Sequence, residues 1–469
     1  MLFNSVDFIL FFALVFVFYW VIPNKFRWLL LLVSSYFFYM SWEPIYILLI
    51  LFSTSIDYFL CRYLTASNNS RNRKIGLGLS VIMNLGLLFT FKYYHFFQEI
   101  MASILNLVNV NYQIRESSFL LPVGISFYTF QTLSYSIDVY RKDYRFEKHF
   151  GKFALFVSYF PQLIAGPIER ASNLLFQLNK KEVKLKYEDF KDGALLFVWG
   201  LFKKVVVADN IRILADHYID YSQFQNGGSI IFALLAFTVQ IYADFSGYSD
   251  MAIGSSRMLG IKLSLNFRTP YFSQNITEFW RRWHITLSFW LRDYVFIPLG
   301  GSRLSKIATL RNLFITFFLA GIWHGASWNF LIWGCLHGII VVIEKITGWN
   351  KNVNHRFFSF LKIVFTFGII TMTMLPVRST DLIHLSDLLQ LISNFHFKDF
   401  YLTVAENIYT PGAIGIAVLF LTDLFLAKRS ILDIHKFNSI FKYSWVTVII
   451  ILILFIGDSS SEAFFYFQF

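Results

Sequence analysis

A chain of 469 residues that is 56% hydrophobic, 20% aromatic and only 15% charged is not a soluble globular protein, which would carry about a quarter charged residues. Its apolar runs are continuous over about 20 residues and do not alternate, which excludes a β-barrel and predicts an all-α polytopic membrane protein. The net charge of +12 is expected in loops facing anionic lipid headgroups, not on nucleic acid, and Cys61 and Cys335 form neither a disulfide framework nor a metal motif.

The first run, about 6–22, lacks the basic flank and small-residue cleavage site of a signal peptide and is read as a retained helix. Helices are predicted over about 28–42 and 45–60, before a loop with Arg62, Arg71, Arg73 and Lys74 and no acid, which marks it cytoplasmic. A crossing from Ile75 to about Tyr94 leads to an external loop reaching Ser118, and the next crossing ends at Tyr140 before a basic stretch. The segment 153–168 is short, broken by Pro161, Gly166 and Pro167, and flanked by basic loops. It reads either as re-entrant backbone covered by protein or as a kinked interfacial helix.

Helices follow at about 194–207 and 229–259, the second carrying Asp244 and Asp250, which either line a path or form ion pairs. The stretch 278–299 holds Arg281, Arg282, Arg292 and Asp293 beside Trp280, Trp283 and Trp290, and is predicted to be one amphipathic helix on the cytoplasmic face with His284 in it. The run 318–340 is apolar but contains His324 and His337, with glycine pairs at Gly321/Gly325 and Gly334/Gly338 that allow close helix approach. Ionisable groups at bilayer depth are functional candidates. If the run is one helix, the two histidines lie roughly 140° apart and do not share a face; the central helix and its successor reach about Ile346. Helices at about 358–375, 412–426 and 445–456 complete about a dozen segments. Charge asymmetry places both termini outside, with 457–469 an extracytoplasmic tail on a single domain, 1–469.

Two blocks, EFWRRWHITLSFWLRDYVFIPLGGSR and GIWHGASWNFLIWGCLHG, resemble the signature blocks of the membrane-bound O-acyltransferases. Further blocks agree: PVGISFYTFQTLSYSIDVYR, FPQLIAGPI, QIYADFSGYSDMAIG, the opening MLFNS and the closing FFYFQF. The chain is similar to the bacterial branch acting in alginate and peptidoglycan O-acetylation. The resemblance implies helices around a central funnel, an acetyl donor that is acetyl-CoA, and transfer from the cytoplasmic side outward. It maps the family histidine onto His324 and the second signature position onto His284. An imidazole is suited to take the proton of an attacking hydroxyl near neutral pH. Trp323, Ser327, Trp328, Asn329 and Arg292 are the expected substrate-binding residues, with no metal.

The tail pattern F-x-Y-x-x-F, Phe464 to Phe469, resembles the end of the small partner peptide of teichoic-acid D-alanylation, which makes Tyr466 a candidate acyl relay or else a membrane anchor. An external acetyltransferase or esterase-like partner is expected to complete transfer to polymer, since no G-x-S-x-G motif is present. The competing functions are D-alanyl or fatty acyl transfer, a transporter using Asp57, Asp138, Asp244, Asp250 and Glu344, and a non-enzymatic anchor.

Overall fold

The computed structural model describes residues 1–110, 112–114, 121–220, 226–395, 406–426, 439–458 and 464–465, and among them all regular structure is helical. Among the described residues six helices are long and apolar enough to cross a membrane: Pro44–Ala66, Ser70–Leu107, Gly227–Met258, Lys306–His324, Trp328–Thr347 and Arg356–Arg378. Shorter apolar helices are Val6–Val21, Leu382–Ser393, Thr410–Phe425 and Ile440–Ile456. The protein is a multi-pass membrane protein.

The chain forms two compact units. One comprises Asp7–Phe190 with Ser256–Ser264, and the other Lys191–Ser255 with Leu265–Phe469 and the segment Leu2–Val6. In the first, the helices Ile47–Ala66, Ser70–Leu88 and Ile125–Arg141 are joined by a polar knot. Asp57 accepts from Ser80 Oγ (2.5 Å), Asn84 Nδ2 (2.8 Å) and Ser136 Oγ (3.4 Å), and Asn84 Oδ1 accepts from Ser53 and Thr132. All of these groups are buried, so satisfying them is a condition of folding.

In the second unit the helix Gly227–Met258 is enclosed by protein along its length, with 83% of its most apolar window buried. Tyr187–Phe202 lies against it through small residues. A Cβ at Gly200 would come 2.5 Å from the Gly247 carbonyl oxygen, and one at Gly254 would come 2.6 Å from that of Gly193. That approach carries Lys203 and Lys204, on a π-helical turn (Lys203–Ala208), beside the carboxylates of the long helix.

Three expectations change. The loop predicted after Tyr94 begins later, because helix continues to Leu107 through a π-turn at Phe89–Tyr93. The stretch 278–299 is not one helix but two short ones, Ile276–Trp280 and Ile285–Leu291, followed by a π-turn at Arg292–Phe296. Its Trp280, Trp283 and Trp290 are buried rather than lying at an interface, because they pack on neighbouring rings such as Phe279, Trp333 and Tyr294. The run 318–340 is a hairpin of two helices, Lys306–His324 and Trp328–Thr347. Within 153–168 the helix Phe150–Ser158 breaks at Tyr159 (φ −53°, ψ 110°) and restarts for one turn, with every residue from Phe153 to Ile168 buried.

Candidate active site

The hairpin exists because helix stops at His324. Gly325 is extended (φ −161°, ψ 151°) and so is Ser327, after which Trp328 starts the second helix. The arms then cross on glycine: a Cβ at Gly321 would lie 2.5 Å from the Phe330 carbonyl oxygen and 2.9 Å from Gly334 Cα. This returns the second arm onto His324. The imidazole is buried between Trp323 (ring centroids 5.0 Å), Trp333 (4.8 Å) and Phe330 (6.5 Å). Trp333 also contacts His337 at 4.7 Å, so the two histidines share one tryptophan instead of facing apart. His337 Nδ1 accepts from Trp280 Nε1 at 3.3 Å. Trp333 Nε1 and His337 Nε2 are buried with no hydrogen-bond partner among the described residues.

His284 reaches the same place from another element. It precedes the helix Ile285–Leu291 in a left-handed conformation (φ 41°, ψ 54°), a strain of about 1–3 kcal/mol for a non-glycine residue that surrounding packing must hold. The ring is fully buried, 4.8 Å from Phe245 and 6.0 Å from Trp323. Its Nδ1 faces Asn266 Oδ1 at 3.2 Å, and that oxygen also accepts from Thr286 Oγ1 at 3.0 Å. Facing an acceptor, Nδ1 carries the proton and Nε2 is left with the lone pair. His284 lies outside the six spanning helices, and burial pushes its pKa down to about 3, so the ring stays neutral.

Of the other expected residues, the structure brings Trp323 to the histidines. Ser327 stands at the hairpin turn, and Asn329 is buried with its Nδ2 donating to the Ser379 carbonyl at 2.8 Å. Trp328 is 49% exposed. Arg292 lies on the π-turn, paired with Asp293 at 2.7 Å and stacked over Phe289. Tyr466 lies outside the described residues. Sequence reading missed Asn266 as the partner of His284, which lies 18 residues away on another element, and Trp333 as the link between the histidines, because its contact with His324 depends on the hairpin.

Two further features flank the cluster. Arg268, Arg281 and Arg282 line a cavity of about 510 Å³ with Asn275, Glu278, Asn350 and Asn352. Its edge is fixed by Glu344, which accepts from the Ile276 and Thr277 backbone N–H groups at 2.6 and 2.9 Å and so pins the start of the Trp280 helix. Elsewhere in this unit Lys203 pairs with Asp250 (2.7 Å), while Lys204 pairs with Asp209 (2.8 Å) and Asp244 (3.0 Å). Asp244 also accepts from the Phe465 N–H at 2.8 Å. Phe464 packs on Tyr248 and Phe245, and Phe245 is the ring against His284.

A profile of the membrane-bound O-acyltransferase family matches residues 147–380. The probable alginate O-acetylase of Pseudomonas syringae pv. tomato is 41% identical over 81% of this chain and 73% of its own. The chain belongs to the membrane-bound O-acyltransferase family. Two more relatives are the peptidoglycan O-acetyltransferase of Helicobacter pylori, 38% identical over 68% of this chain and 64% of its own, and the teichoic acid D-alanyltransferase of Bacillus subtilis, 28% identical over 52% and 65%. This membrane-bound O-acyltransferase is thus an enzyme, and every residue of its histidine cluster falls inside the matched region. Four of the five carboxylates that a transporter reading would use are engaged otherwise: Asp57 in the knot, Asp244 and Asp250 with lysines, and Glu344 at a helix start.

Proposed function

We propose that the enzyme moves acetyl from acetyl-CoA, taken on the cytoplasmic side of the cytoplasmic membrane, outward for O-acetylation of peptidoglycan or an alginate-like polymer, with His324 as general base. The observation that carries this reading is His324 itself, a buried imidazole at a helix end, walled by Trp323, Phe330 and Trp333. The names of the relatives supply the acetyl group and the acceptor class. In the reaction a ring nitrogen of His324 takes the hydroxyl proton while the oxygen attacks the thioester carbonyl. The tetrahedral oxyanion collapses, the C–S bond breaks, and the imidazolium returns the proton to the leaving thiolate. A base so placed contributes about 10²–10⁴ in rate.

Trp333 Nε1, buried and with no acceptor among the described residues, is the donor aimed at the oxyanion. His284, whose Nδ1 faces Asn266 Oδ1, presents Nε2 as an acceptor and holds the attacking hydroxyl or a water in line. The guanidinium groups of Arg268, Arg281 and Arg282 suit the phosphates of CoA. Tyr466 receives acetyl on its phenol oxygen and passes it to an external acetyltransferase or esterase-like partner. The support is that Phe464 contacts Phe245, the ring against His284, and that Asp244 holds Phe465. Both termini then face outward. D-alanyl transfer is the second reading, favoured by the Bacillus subtilis relative.

The test is base-labile acetate on fractionated envelope and secreted polymers from cells carrying the wild type or His324→Ala. Acetate is expected to vanish from one fraction, which names the acceptor. Acetate retained everywhere, with the variant at wild-type level in the membrane, overturns the reading, and loss of D-alanine instead selects the second. Tyr466→Phe is expected to stop export, and unaltered export removes the relay.

A further inference from the structure

Within the first compact unit, away from any group used above, five cations converge on one cavity. Lys25, Arg27, Lys152, Lys180 and Lys181 line a space of about 420 Å³, and no carboxylate is among its lining residues. Two of these cations are held in place rather than loose. Arg27 donates to the Val183 carbonyl at 2.7 Å and lies over Tyr19 and Trp20, and Lys152 Nζ donates to Asn179 Oδ1 at 2.8 Å. Glu147 stands behind the wall, where it accepts from Asn179 Nδ2 at 2.6 Å and from the His149 N–H at 2.9 Å. It thereby orients the amide without entering the cavity.

The remaining wall is aromatic. Trp28 and His149 meet edge to face at 4.7 Å. Gly151 permits this, because a Cβ there would come 2.5 Å from the Trp28 ring. Convergent cations, two of them fixed by hydrogen bonds, an aromatic plane and no carboxylate in the lining are the features of a phosphate receptor. The cations come from the first turn of the helix Asn24–Met40, from the helix Phe150–Ser158 and from the basic run after Leu178; basic segments between crossings are expected on the cytoplasmic face, where anionic headgroups and soluble nucleotides both occur.

We propose that this cavity binds a phosphate group, carried by an anionic lipid headgroup or by a soluble nucleotide. It is independent of the acyl-transfer chemistry, since it uses none of the residues assigned there. The cations hold the phosphate oxygens by charge-assisted hydrogen bonds, and the Trp28–His149 wall takes the apolar or planar part of the ligand.

The test uses the full-length protein in detergent and in nanodiscs, with two probes: adenosine 3′,5′-diphosphate followed by calorimetry, and phosphatidylglycerol followed by its retention in native mass spectrometry. Lys25→Gln/Lys180→Gln/Lys181→Gln changes only exposed side chains. Arg71→Gln/Lys74→Gln, also exposed and outside the cavity, is the control. At least one probe is expected to bind the wild type and the control alike, and to bind the triple variant about tenfold more weakly. Nucleotide binding identifies a soluble source, and lipid retention alone identifies a headgroup. Failure of both probes to bind the wild type, or equal binding by the triple variant, overturns the proposal.

Discussion

Around Asp57 a buried carboxylate accepts from Ser80, Asn84 and Ser136, and the amide that serves it is itself engaged by Ser53 and Thr132. Around His324 the neighbours are rings, and two buried N-donor or acceptor positions, Trp333 Nε1 and His337 Nε2, have no hydrogen-bond partner among the described residues. Both clusters bury polar atoms among protein side chains. The first closes its hydrogen bonds and ties three helices together. The second keeps polar groups inside a rigid aromatic shell, at a cost that only a reacting group or substrate offsets. Buried polarity alone therefore does not mark a site; what marks it is the balance left after local partners are counted.

Substitutions separate the two plans. His324→Ala is expected to lower acetyl transfer by about 10²–10⁴-fold with thermal stability unchanged, measured as CoA thiol release by purified protein. Asp57→Ala does the converse: leaving Asn84 and the serines unpaired costs about 3 kcal/mol of stability, read from the unfolding midpoint, while the rate per folded molecule holds. His284→Asn removes the ring beside Trp323 and is expected to cost about tenfold in rate.

The same residue sets a pH dependence of stability. In the unfolded chain a histidine takes its proton near pH 6.5, whereas burial delays His284 to about 3. The unfolded state therefore binds more protons between these values, and stability falls as pH drops from about 6.5 toward 3, with no slope from this group above 6.5. Unfolding midpoints between pH 4 and 8 are expected to show that decline in the wild type and a shallower one in His284→Asn. The smallest effect belongs to Trp280→Phe, which removes the donor to His337 Nδ1 and is expected to cost about 1 kcal/mol of stability with less than a tenfold change in rate.

Much of this was legible in the residues. Continuous apolar runs gave the multi-pass helical class, and the blocks around His284 and His324 gave the family and both histidines. The hairpin was not legible, since a hydropathy window reads 318–340 as unbroken. The break depends on extended backbone at Gly325 and Ser327 and on the approach of Gly321 to Gly334, which are tertiary facts. The buried pairing of Lys203 with Asp250, 47 residues on, was likewise not legible, since it depends on the close approach of two helices. Arg292 looked like a binding residue by belonging to a signature block, but its partner is its neighbour Asp293.

The most direct test is CoA release from acetyl-CoA, normalised to folded protein, for wild type, His324→Ala and Asp57→Ala side by side. His324→Ala is expected to stay folded and release CoA about 10²–10⁴-fold more slowly, while Asp57→Ala is unstable but turns over at the wild-type rate per folded molecule. A His324→Ala protein that releases CoA at the wild-type rate would contradict it.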